Sequence, residues 1–221
     1  MYVTPPPLPV TRPVAEPAWW QVCGPALTAL IGLFVLTAIY RFDGRSEVQV
    51  ALDLSDSSLL LIGLVAYLAG AALAAVAGLL LGARFPIAVA VPATCFLLLG
   101  VLCAAFADGS GLLAAGRALS GLGTGAAVGA TVALIRKLRE RRGVLAGVTG
   151  ALAVLALVLG PVIGQLLAES LGFRVVQLTA VPFLLVTLVV NAVLGIVRLT
   201  AAKRAAAPAS YGTPWQPAGS Q

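Results

Sequence analysis

Side chains able to do chemistry are few in this sequence, and one of them stands where a charge is costly. Arg117 lies within the apolar run Leu112 to Ile135, one to two turns from its start. A guanidinium at that depth needs a cavity, a partner or a route back to the interface. Three roles fit: it lines a functional path, its long stem lets it reach the nearby interface, or it bonds backbone carbonyls inside a helix bundle. Gln165 and Asn191 are uncharged polar groups in apolar runs, suited to facing a substrate path or to bonding across helices. Asp53, Asp56, Asp108 and Glu169 fall near the ends of apolar runs and read as solvated loop carboxylates, or as the lining of an outer vestibule. The sequence has no histidine, which removes the usual zinc ligand and the imidazole relay of a nucleophilic enzyme. Cys23, Cys95 and Cys103 each sit inside an apolar run without an activating partner and read as small buried apolar side chains. No metal, cofactor or enzymatic activity is expected.

The elements that must position these residues follow from composition. Of the 221 residues, 60% are hydrophobic and 10% charged, and the mean hydropathy is +1.04. A soluble domain is about half apolar and a quarter charged, so water is not the main solvent of this chain. A net charge of +6 raises the question of nucleic acid, but the basic residues flank apolar runs instead of forming one face of a soluble module. Membrane lipid is the expected surrounding, and nucleic acid is excluded as a partner. The 24 glycines suit helices that pack closely in lipid through small side chains. The expected fold class is therefore an all-α membrane protein.

Six runs are long enough to span a hydrocarbon core of about 30 Å. They are expected at Val22 to Tyr40, Leu59 to Ala83, Ile87 to Phe106, Leu112 to Ile135, Gly143 to Ala168 and Val175 to Val197. Trp19 and Trp20 mark an interface, and Pro86 in the Arg84-Phe85-Pro86 turn stops the second helix. The domain is thus 19–198. The Pro-rich segment 1–18 and the Ala-, Pro-, Ser- and Gly-rich segment 199–221 are expected to be disordered cytoplasmic tails, and the first is not a signal peptide. With the N-terminus inside, ten Lys and Arg residues fall on the cytoplasmic side, among them Arg12, Arg84 and the run Arg136-Lys137-Leu138-Arg139-Glu140-Arg141-Arg142. Only Arg41, Arg45 and Arg174 fall outside, and that asymmetry sets the orientation, with both termini cytoplasmic. The basic run reads as a topology anchor or as a site for anionic headgroups, worth about 1 kcal/mol per basic residue.

Two spacings carry a family resemblance. Leu113-x-x-x-Arg117-x-x-Ser120-Gly121-x-Gly123-x-Gly125 resembles the fourth-helix motif of the major facilitator superfamily, especially its drug:proton antiporter branches, with Ser120 where Gln is usual. Gly147, Ala156 and Gly160-Pro161-x-x-Gly164-Gln165 are similar to the antiporter signature of the fifth helix, with Gln165 where a final Gly is usual. Phe173-Arg174 and Pro182 sit where the family often has a Trp-Arg pair and an Asn-x-Pro, and no Asp precedes Arg84 in the position of the gating loop. The resemblance spans roughly Trp19 to Arg198.

It implies the N-terminal six-helix half of a transporter, built as a three-plus-three inverted repeat. Arg117 and Gln165 are then the candidates for a transport or substrate path. Gly121, Gly125, Gly147, Gly160, Pro161 and Gly164 are the candidates for gating or helix packing. The implied function is a half-size exporter of a small amphipathic or drug-like compound in the plasma membrane. A homodimer, or a heterodimer with a second six-helix half, would supply the missing wall. The alternative is a non-transporting six-helix membrane subunit that docks a partner protein. A proton-coupled antiporter needs an intramembrane carboxylate, and none of the six expected spans contains an Asp or Glu.

Overall fold

The computed structural model describes residues 19–41, 45–138 and 141–206. The expected tail 1–18 and the part of the expected tail 199–221 beyond residue 206 lie outside the described residues, as does Arg139. Among the described residues there is no strand, and six helices are long and apolar enough to cross a membrane. These are α1 (Trp19–Thr37), α3 (Asp56–Gly82), α4 (Pro86–Ala105), α5 (Ser110–Lys137), α6 (Arg142–Leu171) and α7 (Phe173–Ala206); a short α2 (Glu47–Leu52) lies between the first two. The chain is an all-α, multi-pass membrane protein.

The helix boundaries have local causes. Pro86 opens α4, where its fixed φ suits the first turn and its missing N–H is one that no intrahelical acceptor would take. Ser46 caps α2: its side chain accepts from the Gln49 N–H at 3.4 Å, and the Gln49 side chain accepts from the Ser46 N–H at 2.7 Å. Asp53 ends α2 in the left-handed region, with φ 48°. Near its start α3 holds a π-helical turn, Leu60–Val65. The last helix departs from expectation. It runs on to Ala206, because the segment 199–206 is rich in Ala and other good helix formers and meets no proline before Pro208.

The centre of the bundle is α5, with 67% of its apolar stretch buried against 17% for α6. Glycine makes this possible. Along one face, Gly121, Gly125 and Gly129 bring the α5 backbone against the carbonyls of Tyr67, Ala71 and Ala75 on α3. On the opposite face Gly116 and Gly123 do the same against the carbonyls of Gly100 and Ala93 on α4. A Cβ at Gly125 would collide with the Ala71 backbone, which cannot retreat without moving the helix. Outside this α3–α5–α4 layer, α7 packs on α4, and α1 lies against α5, α6 and α7.

One polar link ties the outer elements together. Thr28 of α1 and Thr94 of α4 share a hydrogen bond at 2.9 Å, and Asn191 of α7 donates to Thr94 at 3.2 Å, all three buried. Asn191 thus bonds across helices. The outward surface is apolar, with Leu73 75% and Leu80 73% exposed, as hydrocarbon surroundings require. Cys23 is exposed on α1 instead of buried, and all three cysteines are free thiols.

Candidate functional site

Arg117 stands in the second turn of α5 and is fully buried, 0% exposed, so its stem does not carry the charge back to the interface. Its guanidinium reaches two other helices. Nη1 donates to the Val35 carbonyl at 2.9 Å, Nη2 to the Leu36 carbonyl at 2.8 Å and Nε to the Gly63 carbonyl at 3.1 Å. The last turn of a helix leaves four carbonyls without intrahelical partners. In α1 the Phe34 carbonyl accepts from the Ala38 N–H and the Thr37 carbonyl from the Tyr40 N–H. Val35 and Leu36 are the remaining two, and Arg117 takes both. A cation at this negative end of the α1 dipole is favoured as well. The third acceptor, Gly63, belongs to the π-helical turn of α3, so one side chain holds α1, α3 and α5 at a single point.

Aromatic groups complete the surroundings. The guanidinium carbon lies 4.8 Å from the centre of the Tyr67 ring, within cation–π range. The Tyr67 hydroxyl donates to the Gly32 carbonyl at 2.6 Å and sits 2.6 Å from the Thr124 hydroxyl. Neither ion pair among the described residues involves Arg117; they join Arg41 to Glu169 and Arg174 to Asp108, each at 2.9 Å. Of the three roles open to Arg117, bonding backbone carbonyls in the bundle is the one its contacts display.

Gln165 occupies a different place. It is half-buried, and its amide donates to Glu169 at 3.2 Å, on the carboxylate oxygen that Arg41 also holds. With Arg41, Glu47 and Gln177 it lines a narrow cleft of about 20 Å³ where α1, α2, α6 and α7 meet. The side-chain bonds of Arg117 and Gln165 share no partner. Glu169 was expected beyond the fifth span; α6 continues through it to Leu171, which places a carboxylate in the last turn of a spanning helix.

The candidate packing residues divide. Gly121 and Gly125 face α3, while Gly160 and Gly164 face Thr37 and Ala38 at the end of α1, with buried Pro161 between them. Gly147 differs: a Cβ there would meet nothing within 4 Å. It is not a packing glycine of this bundle, because its own side of α6 is open, while nearby Leu145 packs against the cluster that includes Val22, Ala26 and Leu134.

A family model described as the Major Facilitator Superfamily matches residues 26–220. This chain belongs to the major facilitator superfamily. It is also 38% identical over 86 residues to the MFS-type transporter TOXA of Cochliobolus carbonum, a stretch covering 37% of this chain and 16% of that protein. This chain therefore spans only a minor part of the length of the curated relative it matches. Members of the superfamily are membrane transporters.

As a superfamily bundle, the molecule has one loosely packed side. Two grooves flank α1. The first, about 360 Å³, runs between α1, α5 and α6 and includes Leu30, Leu33, Val132, Arg136, Arg142 and Ala146. The second, about 530 Å³, runs between α1, α6 and α7 past Phe34, Ile163 and Phe183. Sequence reasoning did not find these grooves, since they depend on how far α6 stands from α5. Nor did it find Tyr67, whose hydroxyl partners lie on two other helices. For α2 a signal was present in Ser46-x-x-Gln49, the spacing of a capping box.

Proposed function

We propose that this chain forms one wall of a small-molecule exporter in the plasma membrane, with the Trp19 end of α1 on the cytoplasmic side. A second six-helix unit, another copy of this chain or a different sequence, completes the path. The single observation that carries the reading is the pair of open grooves on either side of α1. The layer α3–α5–α4 is closed by backbone-to-backbone contact, whereas α6 leaves α1 accessible on both flanks. In superfamily members the substrate lies between two six-helix halves, and such a surface is what a half would turn toward its counterpart. Both grooves are mostly apolar and of a size that holds drug-sized compounds, which supports an amphipathic cargo. The reading of a subunit that only docks a partner draws no support from a family whose members are transporters.

The test is flux in proteoliposomes. Fluorescent amphiphiles of both charge signs are loaded with and without a proton gradient, and the chain is compared with Ala146→Trp, which narrows the first groove from an exposed position. The expected result is protein-dependent flux of at least one probe, reduced in the variant to the rate of empty vesicles. No flux across the panel, with folding and oligomeric state established, overturns the reading. Flux that ignores Ala146→Trp overturns the assignment of the path to that groove.

A further inference from the structure

The groove between α1, α5 and α6 is polar at one end only. Arg136, in the last turn of α5, and Arg142, at the first residue of α6, both line it and are both exposed. The remaining lining is Ala, Leu, Val, Ile and Gly, together with two threonines. Those hydroxyls are already committed: Thr131 donates to the Ala127 carbonyl at 2.7 Å and Thr149 to the Leu145 carbonyl at 2.6 Å. The two guanidiniums are therefore the side-chain donors left for an occupant. No Asp or Glu lines the groove among the described residues, and neither arginine joins an ion pair there.

We propose that this groove binds a single-chain amphiphilic anion. Its carboxylate or similar oxyanion is held by Arg136 and Arg142, and its chain lies along Leu30, Leu33, Val132 and Ala146. Arginine suits the head because its planar fork pairs with both oxygens of a carboxylate. The volume, about 360 Å³, falls at the lower end of the range that encloses a drug-sized ligand, which favours a free amphiphile over a diacyl membrane lipid. Charge also selects: a cationic head at the same mouth would meet two like charges. The inference deepens the transporter reading and rests on it for the meaning of the groove, by naming the charge of the cargo.

The experiment measures binding, not flux. The full chain is placed in nanodiscs of zwitterionic phosphatidylcholine and titrated with dansyl-undecanoic acid and with its methyl ester, following dansyl emission. The acid is expected to bind about tenfold more tightly than the ester, a difference of about 1.4 kcal/mol. In Arg136→Gln/Arg142→Gln the acid falls to the affinity of the ester. Arg84→Gln, at the same end of the bundle but outside the groove, changes neither. Val132→Trp fills the groove without touching a charge and abolishes binding of both probes, so the site remains testable where the double variant fails to fold. Equal binding of acid and ester overturns the proposal, as does loss of acid binding in Arg84→Gln or its retention in Val132→Trp. Displacement of the acid when phosphatidylglycerol replaces part of the phosphatidylcholine also overturns it, because the arginines then serve lipid headgroups. A chain that binds the acid and moves nothing overturns only the transporter reading, whereas one that moves neutral or cationic amphiphiles without preferring the acid overturns only this inference.

Discussion

A buried cation without a carboxylate is expensive, and Arg117 meets that cost with carbonyls that would otherwise be unpaired. Val35 and Leu36 have no N–H to accept from at the end of α1, and Gly63 offers a third acceptor from the π-helical turn of α3. The geometry favours guanidinium over ammonium. Three nitrogens point in three fixed directions, toward two helices, while the flat face rests 4.8 Å from the Tyr67 ring. A lysine keeps the charge but has one nitrogen at the end of a flexible stem. Arg117→Lys is therefore expected to lose at least one of the three bonds and to destabilise the bundle by about 1.5–3 kcal/mol for each one lost. Thermal unfolding in detergent, monitored by tryptophan emission, checks this. A midpoint equal to that of the unaltered chain would mean that the carbonyls do not need the fork.

At the scale of elements, glycine does two different things in α5 and α6. Gly125 permits contact between backbones, and a side chain there must push α3 away at Ala71. Gly125→Leu is expected to cost more than about 3 kcal/mol and to reduce the folded yield sharply, since overpacking against backbone has no flexible neighbour to absorb it. Gly147 has open space around it, so Gly147→Ala is expected to be neutral or to stabilise by up to about 1 kcal/mol, as alanine is the better helix former. Folded yield by size-exclusion chromatography separates the two outcomes. Equal losses at both positions would show that Gly147 packs against something after all. The helix ends were legible to within a few residues because proline, glycine and charge punctuate the apolar runs. Two local features were not. The π-helical turn and the extension of α7 to Ala206 depend on competing hydrogen bonds and on helix propensity beyond the apolar stretch.

For the whole molecule, the charges at the two ends carry the proposed orientation. Arg84, Arg136, Lys137, Arg141 and Arg142 lie at one end, and Arg41, Asp108, Glu169 and Arg174 at the other. The ion pairs at the second end are partly or largely exposed, with side-chain exposures of 22% and 48% for Arg41 and Glu169. They contribute little to stability, and their position reflects topology more than strength. In a background with Cys23, Cys95 and Cys103 replaced, Asp108→Cys is expected to react with a membrane-impermeant maleimide on intact cells, and Arg84→Cys only after lysis. The reverse pattern would invert the orientation and with it the direction of export.

Six spans, an all-α membrane fold and membership in a transporter superfamily were all readable from the chain. Hydrocarbon imposes runs of about twenty apolar residues, and those runs survive as a one-dimensional pattern. The motif glycines and Arg117 were readable too, as residue types at fixed spacings. Which use each residue has was decided by the tertiary structure. Gly125 and Gly147 look alike along the chain, yet one meets a carbonyl of α3 and the other meets nothing. Arg117 finds its partners at Val35, Leu36 and Gly63, more than fifty residues away, and no local pattern records which carbonyls a helix end leaves free. The grooves beside α1 likewise arise from the distance at which α6 packs, a property of pairs of helices that is not written in either sequence alone.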